Sequence, residues 1–567
     1  MKRPALDQWL KEFDSFFNQA SLAVPQNNTF DLVGTENSCW KFLVNEKGCV
    51  TIETQLELPE RAETDHYTQF RRTLLTLFSP EKEGFGSFTA ALSHQCLDGW
   101  LPVSVVTFQS SRFQQVRETV LTDEKGMLHI AVETEKGTSF YTVTPPDTQD
   151  PKAVWLMDDP KAVKMADGNA FEQALQITRR HWQEKFASLL QWDFPHVYLK
   201  NGILSALAKC FITQYNGALR YGGTRYYCDE AETAESFPPT IITMTESCLF
   251  YGLADEGSNF FSIFTDKFVS EAGVICHRGN GASISEHGMI LDVFTRCCLV
   301  TKDEDFIRRH LPVMKAMAKN LLDQIRDAAP GIISGCPEDD LRFVPYKQWF
   351  SSNLWAAKGL LGFARIAPET VDQVLVKAFA EQTVQLCQKS VIKTPTGDFV
   401  PPCPEVKEPF NDMNDFLEFL PGDVVHSLAS YTNYRFYPEM LSSCLLPREL
   451  AQKIVDYRNT HNGDFYGVTT FRLFRSLPVY GKERCLDDWP LFNHLQALAF
   501  YGDHTELARC LAGHMAIHQG RFTYFAPETS FRDHLDSAHC VPSQLTLPLA
   551  IRALFPEWET IPAVSKD

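Results

Sequence analysis

The chain has 567 residues, of which 44% are hydrophobic and 22% charged, and a formal net charge of −18 at pH 7. This length predicts two domains or one large closed barrel with an appendage, and the ordinary composition excludes a disordered protein. The acidic excess excludes a protein whose main task is to bind nucleic-acid backbones or anionic membranes, and it favours a neutral or locally guided substrate.

Cysteine usage and the opening segment indicate the compartment. Sixteen cysteines occur without a CxxC pair, which is typical of reduced thiols that serve as small apolar residues. The opening MKRPALDQWLKEFDSFF carries charges where a signal peptide needs an apolar core, and no later run is long enough to span a bilayer. We therefore expect a cytoplasmic protein with no membrane or nucleic-acid partner. Homo-oligomerisation is left open.

Short alternating runs dominate residues 28–144. Segments such as CWKFLV, LPVSVVTF, LHIAVET and SFYTVT are rich in β-branched and aromatic residues, and EKG and DEKG supply the turns. Antiparallel strands at this spacing predict an N-terminal β-sandwich domain over residues 1–150. A leading helix over residues 6–17 is expected to pack beside it, and FQQVRETV fits either a strand or a helix.

A passage rich in proline and aspartate, residues 145–160, marks the domain boundary. Beyond it the hydrophobic period changes from two to about three and a half. Residues 169–190 predict a long helix within a linker region, residues 151–199. The remaining residues, 200–567, form the predicted second domain.

Helical segments of the second domain come in pairs of different character. One member is short and poor in charge, as in MILDVFTRCCLV and LWAAKGLLGFARI, and the other is amphipathic, as in DEDFIRRHLPVMKAMAKNLLDQIRD. A helix that is apolar all round is buried and one with a charged stripe faces water, so the pairs predict an inner ring within an outer ring. The inner helices are predicted to start near Thr240, Ser285, Trp349, Asp415, Asp488 and Val541.

The connections from outer to inner helices are long and carry unusual residues. Examples are SGCPEDDLRFVPYKQW, VYGKERCLDDW and APETSFRDHLDSAHCVPS. Each holds an acidic residue within a few positions of the next inner helix. Long loops on one face of a rigid scaffold are where function usually lies, so we expect these loops to meet at one mouth of the barrel.

Several of these segments resemble a known group of proteins. ISEHGMILDVF followed by TKDEDFIRRHLPVM, and GIISGCPEDD ahead of YKQWFSSNLWAAKGL, resemble the six-hairpin, (α/α)6-barrel glycosidases that carry an N-terminal β-sandwich. This group includes glucosidases, trehalases and rhamnosidases, and the resemblance covers residues 28–555. It implies a multidomain β + α protein, an antiparallel β-sandwich followed by an (α/α)6 toroid barrel, that hydrolyses glycosidic bonds in a carbohydrate substrate.

Glycoside hydrolysis needs a proton donor for the leaving oxygen and a second carboxylate. We assign the proton donor to Glu338, because Asp339 and Asp340 beside it would raise its pKa. Asp340 is a further catalytic candidate. The second carboxylate is assigned to Asp488, which opens an inner helix beside Trp489. A helix cap is the structural alternative for both Glu338 and Asp488.

A larger set of residues from the same loops is expected to bind the sugar. Aromatic rings would stack on pyranose faces, and polar groups would hydrogen-bond hydroxyls or a carboxylate. The candidates are Arg225, Tyr227, Glu286, His287, Trp349, Asp415, Glu418, Trp489, Asp536 and His539. Packing is the alternative for each, and Glu286 could instead complete a capping box with Ser283.

Neither a metal site nor a cofactor is predicted. His514 and His518 share one face of an outer helix without an evident third ligand, which indicates a solvated pair. Two other functions stay open. One is a lyase or epimerase that abstracts a proton beside the carboxylate of a uronic acid, and the other is a carbohydrate-binding protein without catalysis.

Overall fold

The computed structural model describes most of the chain as two antiparallel sheets followed by a helical region. The described residues are 3–38, 40–57, 70–143, 163–215, 217–223, 237–277, 280–281, 283–337, 347–414, 427–471, 485–487, 490–531 and 534–555. Across these ranges, the helices fall short of the length and apolar character needed to cross a membrane.

The two sheets have simple antiparallel neighbours and share one core. Among the described residues the first has the order β1-β2-β3-β4 and the second β10-β9-β8-β7-β6-β5. Val33 and Phe42 of the first sheet join Val106 and Val120 of the second in one hydrophobic cluster, so the sheets pack face to face. The strands are β1 Phe30–Gly34, β2 Lys41–Asn45, β3 Val50–Glu57, β4 Phe70–Phe78, β5 Phe88–Leu97, β6 Leu101–Ser110, β7 Val116–Thr122, β8 Leu128–Thr134, β9 Gly137–Val143 and β10 Lys164–Met165. The ambiguous run FQQVRETV thus contributes β7, which pairs on both sides.

The leading helix, α1 Arg3–Ala23, does not pack beside the sheets as predicted. Trp9 Nε1 donates to the carbonyl oxygen of His504 at 3.0 Å, and Ala20 lies in a small apolar cluster with Ile517. The sheets already cover each other's apolar faces, so the apolar stripe of α1 is buried against the helical region instead. The prediction for this helix was therefore wrong in its partner.

The rest of the chain is mostly helical. The helices are α2 Gly168–Lys185, α3 Ala187–Gln191, α4 Val197–Ile212, α5 Pro238–Phe250, α6 Ala254–Phe268, α7 Ile284–Thr301, α8 Glu304–Ala328, α9 Phe350–Phe363, α10 Gln373–Ser390, α11 Leu428–Tyr431, α12 Tyr437–Ser442, α13 Arg448–Thr460, α14 Leu491–Tyr501, α15 His504–Gly513, α16 Val541–Gln544 and α17 Thr546–Ala553. π-helical turns span Glu81–Phe85, Thr432–Phe436 and His514–His518. Short strands are β11 Cys276–His277, β12 Asn280–Gly281, β13 Ile392–Thr394, β14 Gly397–Phe399, β15 Asp464–Phe465, β16 Val468–Phe471, β17 Cys485–Asp487 and β18 Thr529–Ser530.

Within the described residues, six helices pack in a closed cycle. Each contacts the next in the order α5, α7, α9, α12, α14, α17 and back to α5. They carry few charges and are largely buried along their lengths, as predicted for the inner helices. The more charged α6, α8 and α15 each contact two neighbouring members of the cycle, and α10 contacts α9.

Glycines allow the closest contact in this cycle, between α7 and α9. A Cβ atom on Gly288 would overlap the carbonyl oxygen of Trp355, and one on Gly359 would overlap the carbonyl oxygen of Gly288. The two backbones therefore touch directly. Only glycine permits this approach.

Helix α4 joins the sheets to the helical region. It is buried along most of its length and contacts β1 and β6 on one side and α17 on the other. A fully buried ion pair crosses this junction, with Lys209 Nζ 2.9 Å from Asp31 Oδ1. The thirteen cysteines in the described ranges whose state is assigned are free thiols.

Candidate active site at the amino ends of the inner helices

Three successive inner helices, α7, α9 and α12, run in the same direction. Gly288 of α7 lies against Trp355 of α9, and Asp292, one turn later on α7, lies near Gly362, further along α9. Trp349, just before α9, stacks on Phe436, just before α12, and Lys358 Nζ of α9 donates to the carbonyl oxygen of Ser442, at the end of α12, at 2.7 Å. The amino ends of these three helices therefore lie at one end of the cycle.

The segments that precede the inner helices contain the residues predicted to carry the chemistry. Glu338, Asp340 and Asp488 lie outside the described residues. So do the predicted sugar-binding residues Arg225, Tyr227, Asp415, Glu418 and Trp489. Their roles stay predictions. The structure describes the residues that flank these segments and the helix ends behind them.

The flanks of residues 338–346 are held in place by backbone and amide contacts. Gly335 and Lys347 exchange two backbone hydrogen bonds of 3.1 and 3.2 Å. Asn353, fully buried on α9, accepts from the backbone N–H of Ile333 at 2.8 Å and donates to its carbonyl oxygen at 3.0 Å. A buried amide that satisfies a backbone donor and acceptor together fixes the path of the chain. The chain is thereby anchored on both sides of Glu338.

Two other polar residues anchor flanks in the same way. Asn414 Nδ2 donates to the carbonyl oxygen of Asn462 at 2.7 Å, immediately before residues 415–426. His539 Nδ1 accepts from the backbone N–H of Gly223 at 3.1 Å, immediately before residues 224–236. The positioning roles of Asn353 and Asn414 could not be predicted from the sequence, because asparagines that bind distant backbone groups carry no spacing signal.

Glu286 lies behind the helix ends rather than in an open cavity. It caps α7: Ser283 Oγ accepts from the Glu286 N–H at 3.3 Å, and Glu286 Oε2 accepts from the Ser283 N–H at 2.8 Å. Its other oxygen accepts from Arg435, and the side chain is fully buried. The predicted contact with a substrate is therefore corrected to a positioning role, since both oxygens are engaged.

Arg435 joins two carboxylates at this end of the ring. Its Nε donates to Glu439 Oε1 at 2.7 Å, one turn along the same segment, while its Nη2 binds Glu286 of α7. All three side chains are at least 98% buried. Burial raises the pKa of Glu439, and Arg435 opposes that rise. Arg435 thus links the start of α7 to the segment that leads into α12.

The Arg435 triad was missed by sequence reasoning, although a signal was present. Arg435 and Glu439 are spaced four apart in the otherwise uncharged run LASYTNYRFYPEMLSS. Arg435 also lies in the π-helical turn Thr432–Phe436, a local distortion that is frequent at functional sites.

His287 and Trp349 are buried and make contacts within the protein. His287 Nε2 accepts from the backbone N–H of Ile275 at 3.1 Å, and its Nδ1 lies 2.9 Å from the carbonyl oxygen of Ser283. Burial lowers the pKa of His287, which keeps the ring neutral. Trp349 is fully buried and stacks on Phe436 with ring centroids 4.5 Å apart. The substrate roles predicted for both residues stay predictions, and the contacts described here are internal to the protein.

His539 is likewise internal, whereas Asp536 stays a candidate. His539 is fully buried, and burial, followed by the charge of Lys209, lowers its pKa to about 3. Asp536 is only partly buried and accepts from Thr529 Oγ1 at 3.3 Å. Thr529 pairs in register with Asp487, the residue before Asp488. The strand pairing thus brings the Asp536 segment beside the start of a predicted catalytic segment.

The opposite end of the ring is also polar inside. Arg296 of α7 lies 3.5 Å from Glu246 of α5, and Gln496 of α14 donates to Glu246 at 3.1 Å. Helices α7 and α14 are not neighbours in the cycle, so a side chain of α5 that contacts both of them points toward its axis.

His514 and His518 were predicted to be a solvated pair, and this prediction was wrong. Both side chains are fully buried, and His518 Nδ1 lies 2.8 Å from Ser530 Oγ.

Comparison with solved structures identifies the architecture. A bacterial glucoamylase complexed with acarbose matches 95% of this chain and 96% of its own at 8% identity, with a TM-score of 0.55. A rhamnosidase from Klebsiella oxytoca with rhamnose bound matches 96% and 98% at 10% identity and a TM-score of 0.44. An unsaturated glucuronyl hydrolase specific for heparin matches 63% and 97% at 11% identity and a TM-score of 0.40.

In fold, the protein is similar to the six-hairpin glycosidases. This confirms the resemblance drawn from the sequence. No protein-family model matches the sequence, and no curated protein is significantly similar to it. The glycosidase-like fold thus comes from the structure, while sequence similarity defines no family within it.

Proposed function

We propose that the protein is a glycoside hydrolase, built on a β-sandwich and an (α/α)6 barrel, that cleaves a glycosidic bond in an oligosaccharide or glycoside. The observation that carries this proposal is the closed cycle of six inner helices in a fold similar to that of a bacterial glucoamylase over nearly its whole length. In this proposal the acid-bearing segments lie at the end of the cycle where α7, α9 and α12 begin. The free thiols are in keeping with a cytoplasmic location.

In this proposal Glu338 protonates the leaving oxygen. Asp488 is the second carboxylate, acting either on water or as the nucleophile, and Asp340 tunes the proton donor or replaces it. The Arg435 triad and the anchors Asn353, Asn414 and His539 position the segments without touching substrate. Partial positive charge at the converging helix ends would help to keep one carboxylate ionised.

The proposal is tested on the purified full chain with a panel of chromogenic glycosides and oligosaccharides, and with acarbose as a binding probe. We expect sugar release. We expect Glu338→Gln to lower kcat by a factor of about 10²–10⁴, the usual contribution of a general acid. Glu304→Gln, on the exposed start of α8, is the matched control and should leave turnover unchanged.

Three outcomes would argue against parts of this proposal. Unaltered turnover in Glu338→Gln would remove that residue from the mechanism. A product that absorbs in the ultraviolet and contains no added water would indicate a lyase instead. Acarbose binding without turnover of any substrate would indicate a carbohydrate-binding protein.

A further inference from the structure

A compact cluster of three ligand-type side chains lies between helices α14 and α15 and is not used in the proposed mechanism. His494 is on inner helix α14, and Glu506 and Cys510 are one turn apart on outer helix α15. One ligand atom from each residue lies within 4.8 Å of the other two. The cluster therefore sits in the wall of the ring, between an inner and an outer helix.

His494 is the unusual member of this cluster. Its side chain is fully buried, and neither ring nitrogen has a hydrogen-bond partner in the described part of the chain. Burial, followed by Arg458 and Arg509, lowers the pKa of His494 well below its ordinary value. The ring is thus neutral, which is the form that coordinates metals. A buried imidazole with both nitrogens unused calls for a ligand, because leaving polar atoms unpaired is costly.

Glu506 and Cys510 are already oriented toward each other. Cys510 Sγ lies 3.6 Å from Glu506 Oε1. Arg509 donates to both carboxylate oxygens at 2.7 and 2.6 Å, and Asn459 Nδ2 donates to Oε1 at 2.8 Å. Such outer contacts fix the orientation of a coordinating carboxylate.

We propose that His494, Glu506 and Cys510 bind one divalent transition-metal ion of the Zn²⁺ class. Nitrogen, oxygen and sulfur donors together suit Zn²⁺, and three protein ligands leave one tetrahedral position for a further group. Zinc bonds of 2.0–2.3 Å imply ligand separations of about 3.5 Å. The Cys510–Glu506 distance of 3.6 Å already meets this, and the separations from His494, which are within 4.8 Å, need to contract by no more than about 1.3 Å.

The charges of the side chains around the cluster are balanced, so they do not oppose the binding of a cation. Arg458 and Arg509 are offset by Glu506 and by Asp464, whose Oδ2 lies 2.7 Å from Arg509 Nη1. Burial, and after it Glu506, raises the pKa of the Cys510 thiol, so the thiol is protonated in the free protein. On binding, the Sγ–H bond breaks, the proton leaves to solvent, and a metal–sulfur bond forms. The cluster then gains a net charge of +1, and the ion links the inner helix to the outer one.

The experiment uses the full chain with Zn²⁺ for stoichiometry and Co²⁺ as a spectroscopic probe. We expect one Zn²⁺ per chain by elemental analysis and a thiolate-to-cobalt charge-transfer band in the near ultraviolet. Cys510→Ser should abolish the band. His494→Gln should weaken Zn²⁺ binding at least about tenfold, since replacing even a residue that only hydrogen-bonds to a metal ligand costs that much affinity. Cys387→Ser, at another fully buried cysteine on α10, and Cys276→Ser, at an exposed one, are the controls and should keep the band.

A second measurement avoids reliance on variants that fold poorly. In the wild-type chain under mild denaturant, Zn²⁺ should protect Cys510 from alkylation, as read by peptide mass mapping, and should leave Cys387 unprotected. Absence of the cobalt band at saturating Co²⁺, or a band that persists in folded Cys510→Ser, would overturn the proposal. So would equal alkylation of Cys510 with and without Zn²⁺. None of these readouts depends on glycosidase activity.

Discussion

Glu118 on β7 is a carboxyl group placed in an apolar core. It is fully buried between Val106 and Val132 of the neighbouring strands, and neither of its carboxylate oxygens has a hydrogen-bond partner in the described ranges. Burial raises the pKa of Glu118 well above its ordinary value, because the charged form would lose its hydration. The folded protein therefore holds the protonated acid.

This placement predicts that Glu118→Gln stabilises the protein at neutral and alkaline pH. The unfolded chain ionises Glu118 near pH 4, so stability present below that pH is lost as the pH rises toward the higher folded-state pKa. The variant cannot ionise. We expect its Tm to exceed that of the wild type by a few degrees at pH 8. Calorimetry should show the difference shrinking toward pH 4.

The matched control for this prediction is Glu133→Gln on β8. Glu133 is 42% exposed and pairs with Arg117 at 2.7 Å, so its removal should change stability by less than about 1 kcal/mol. A Tm difference for Glu118→Gln that stayed constant from pH 4 to pH 8 would contradict the assignment.

Arg435 gives the opposite kind of test, because it is a buried charge with partners. Arg435→Met leaves Glu286 and Glu439 without their shared cation, and we expect a loss of about 3–5 kcal/mol at neutral pH. The loss should lessen as the pH falls and the two carboxylates take up protons. Urea denaturation at pH 5 and pH 7.5 measures both effects. Arg117→Met, which breaks an exposed pair, should cost less than about 1 kcal/mol and show no such trend.

The contact between α7 and α9 allows a test at the scale of elements. Gly359→Ala would place a methyl group against the backbone of Gly288, so the helices must separate, and we expect a loss of about 3 kcal/mol or more. Gly362→Ala, three residues later on the same helix, meets only the Asp292 side chain at 3.2 Å. There the better helix propensity of alanine should make the change neutral or stabilising by up to about 1 kcal/mol. Similar Tm values for the two variants would show that the close contact is not required.

Elements with a strong local pattern were predictable from the sequence. The predicted helix over residues 169–190 is found as α2 and α3, and five of the six inner helices begin close to their predicted starts. The start predicted near Asp415 lies outside the described residues, and the described helical segment of that region runs from residue 428 to residue 442. The predictions that failed concerned which surfaces of the protein pack against each other. The apolar stripe of α1 indicates a helix but not the surface that covers it, and His514 and His518 gave no sign that the turn His514–His518 would be buried. Such choices depend on which distant surfaces remain uncovered after the chain folds.

The candidate site was less predictable than the fold for the same reason. Glu286 has the spacing of a capping box, and that local alternative is what the structure shows. Its ion pair with Arg435, 149 positions away, leaves no trace in either segment alone. Asn353, Asn414 and His539 act through backbone contacts, which single residue types do not reveal.

At the scale of the whole molecule, the sheets and helices share one core through α4. Leu199, Ile203 and Phe211 of this helix are fully buried in the larger hydrophobic cluster, which also includes Leu32 and Leu43 of the first sheet. We expect the full chain to unfold in a single calorimetric transition. A chain that begins at residue 163 should aggregate, because it exposes this helix. Two separate transitions in the full chain would contradict a shared core.

The common direction of α7, α9 and α12 has an electrostatic consequence for the glycosidase activity proposed above. Each helix start carries about half a positive charge, which raises the energy of an oxocarbenium-like sugar held nearby. A scaffold of this geometry therefore repels the very species that glycosidic cleavage creates. Surplus carboxylates in the entering segments would offset that repulsion, so neutralising several of them together should slow bond cleavage more than it weakens the binding of an uncharged sugar.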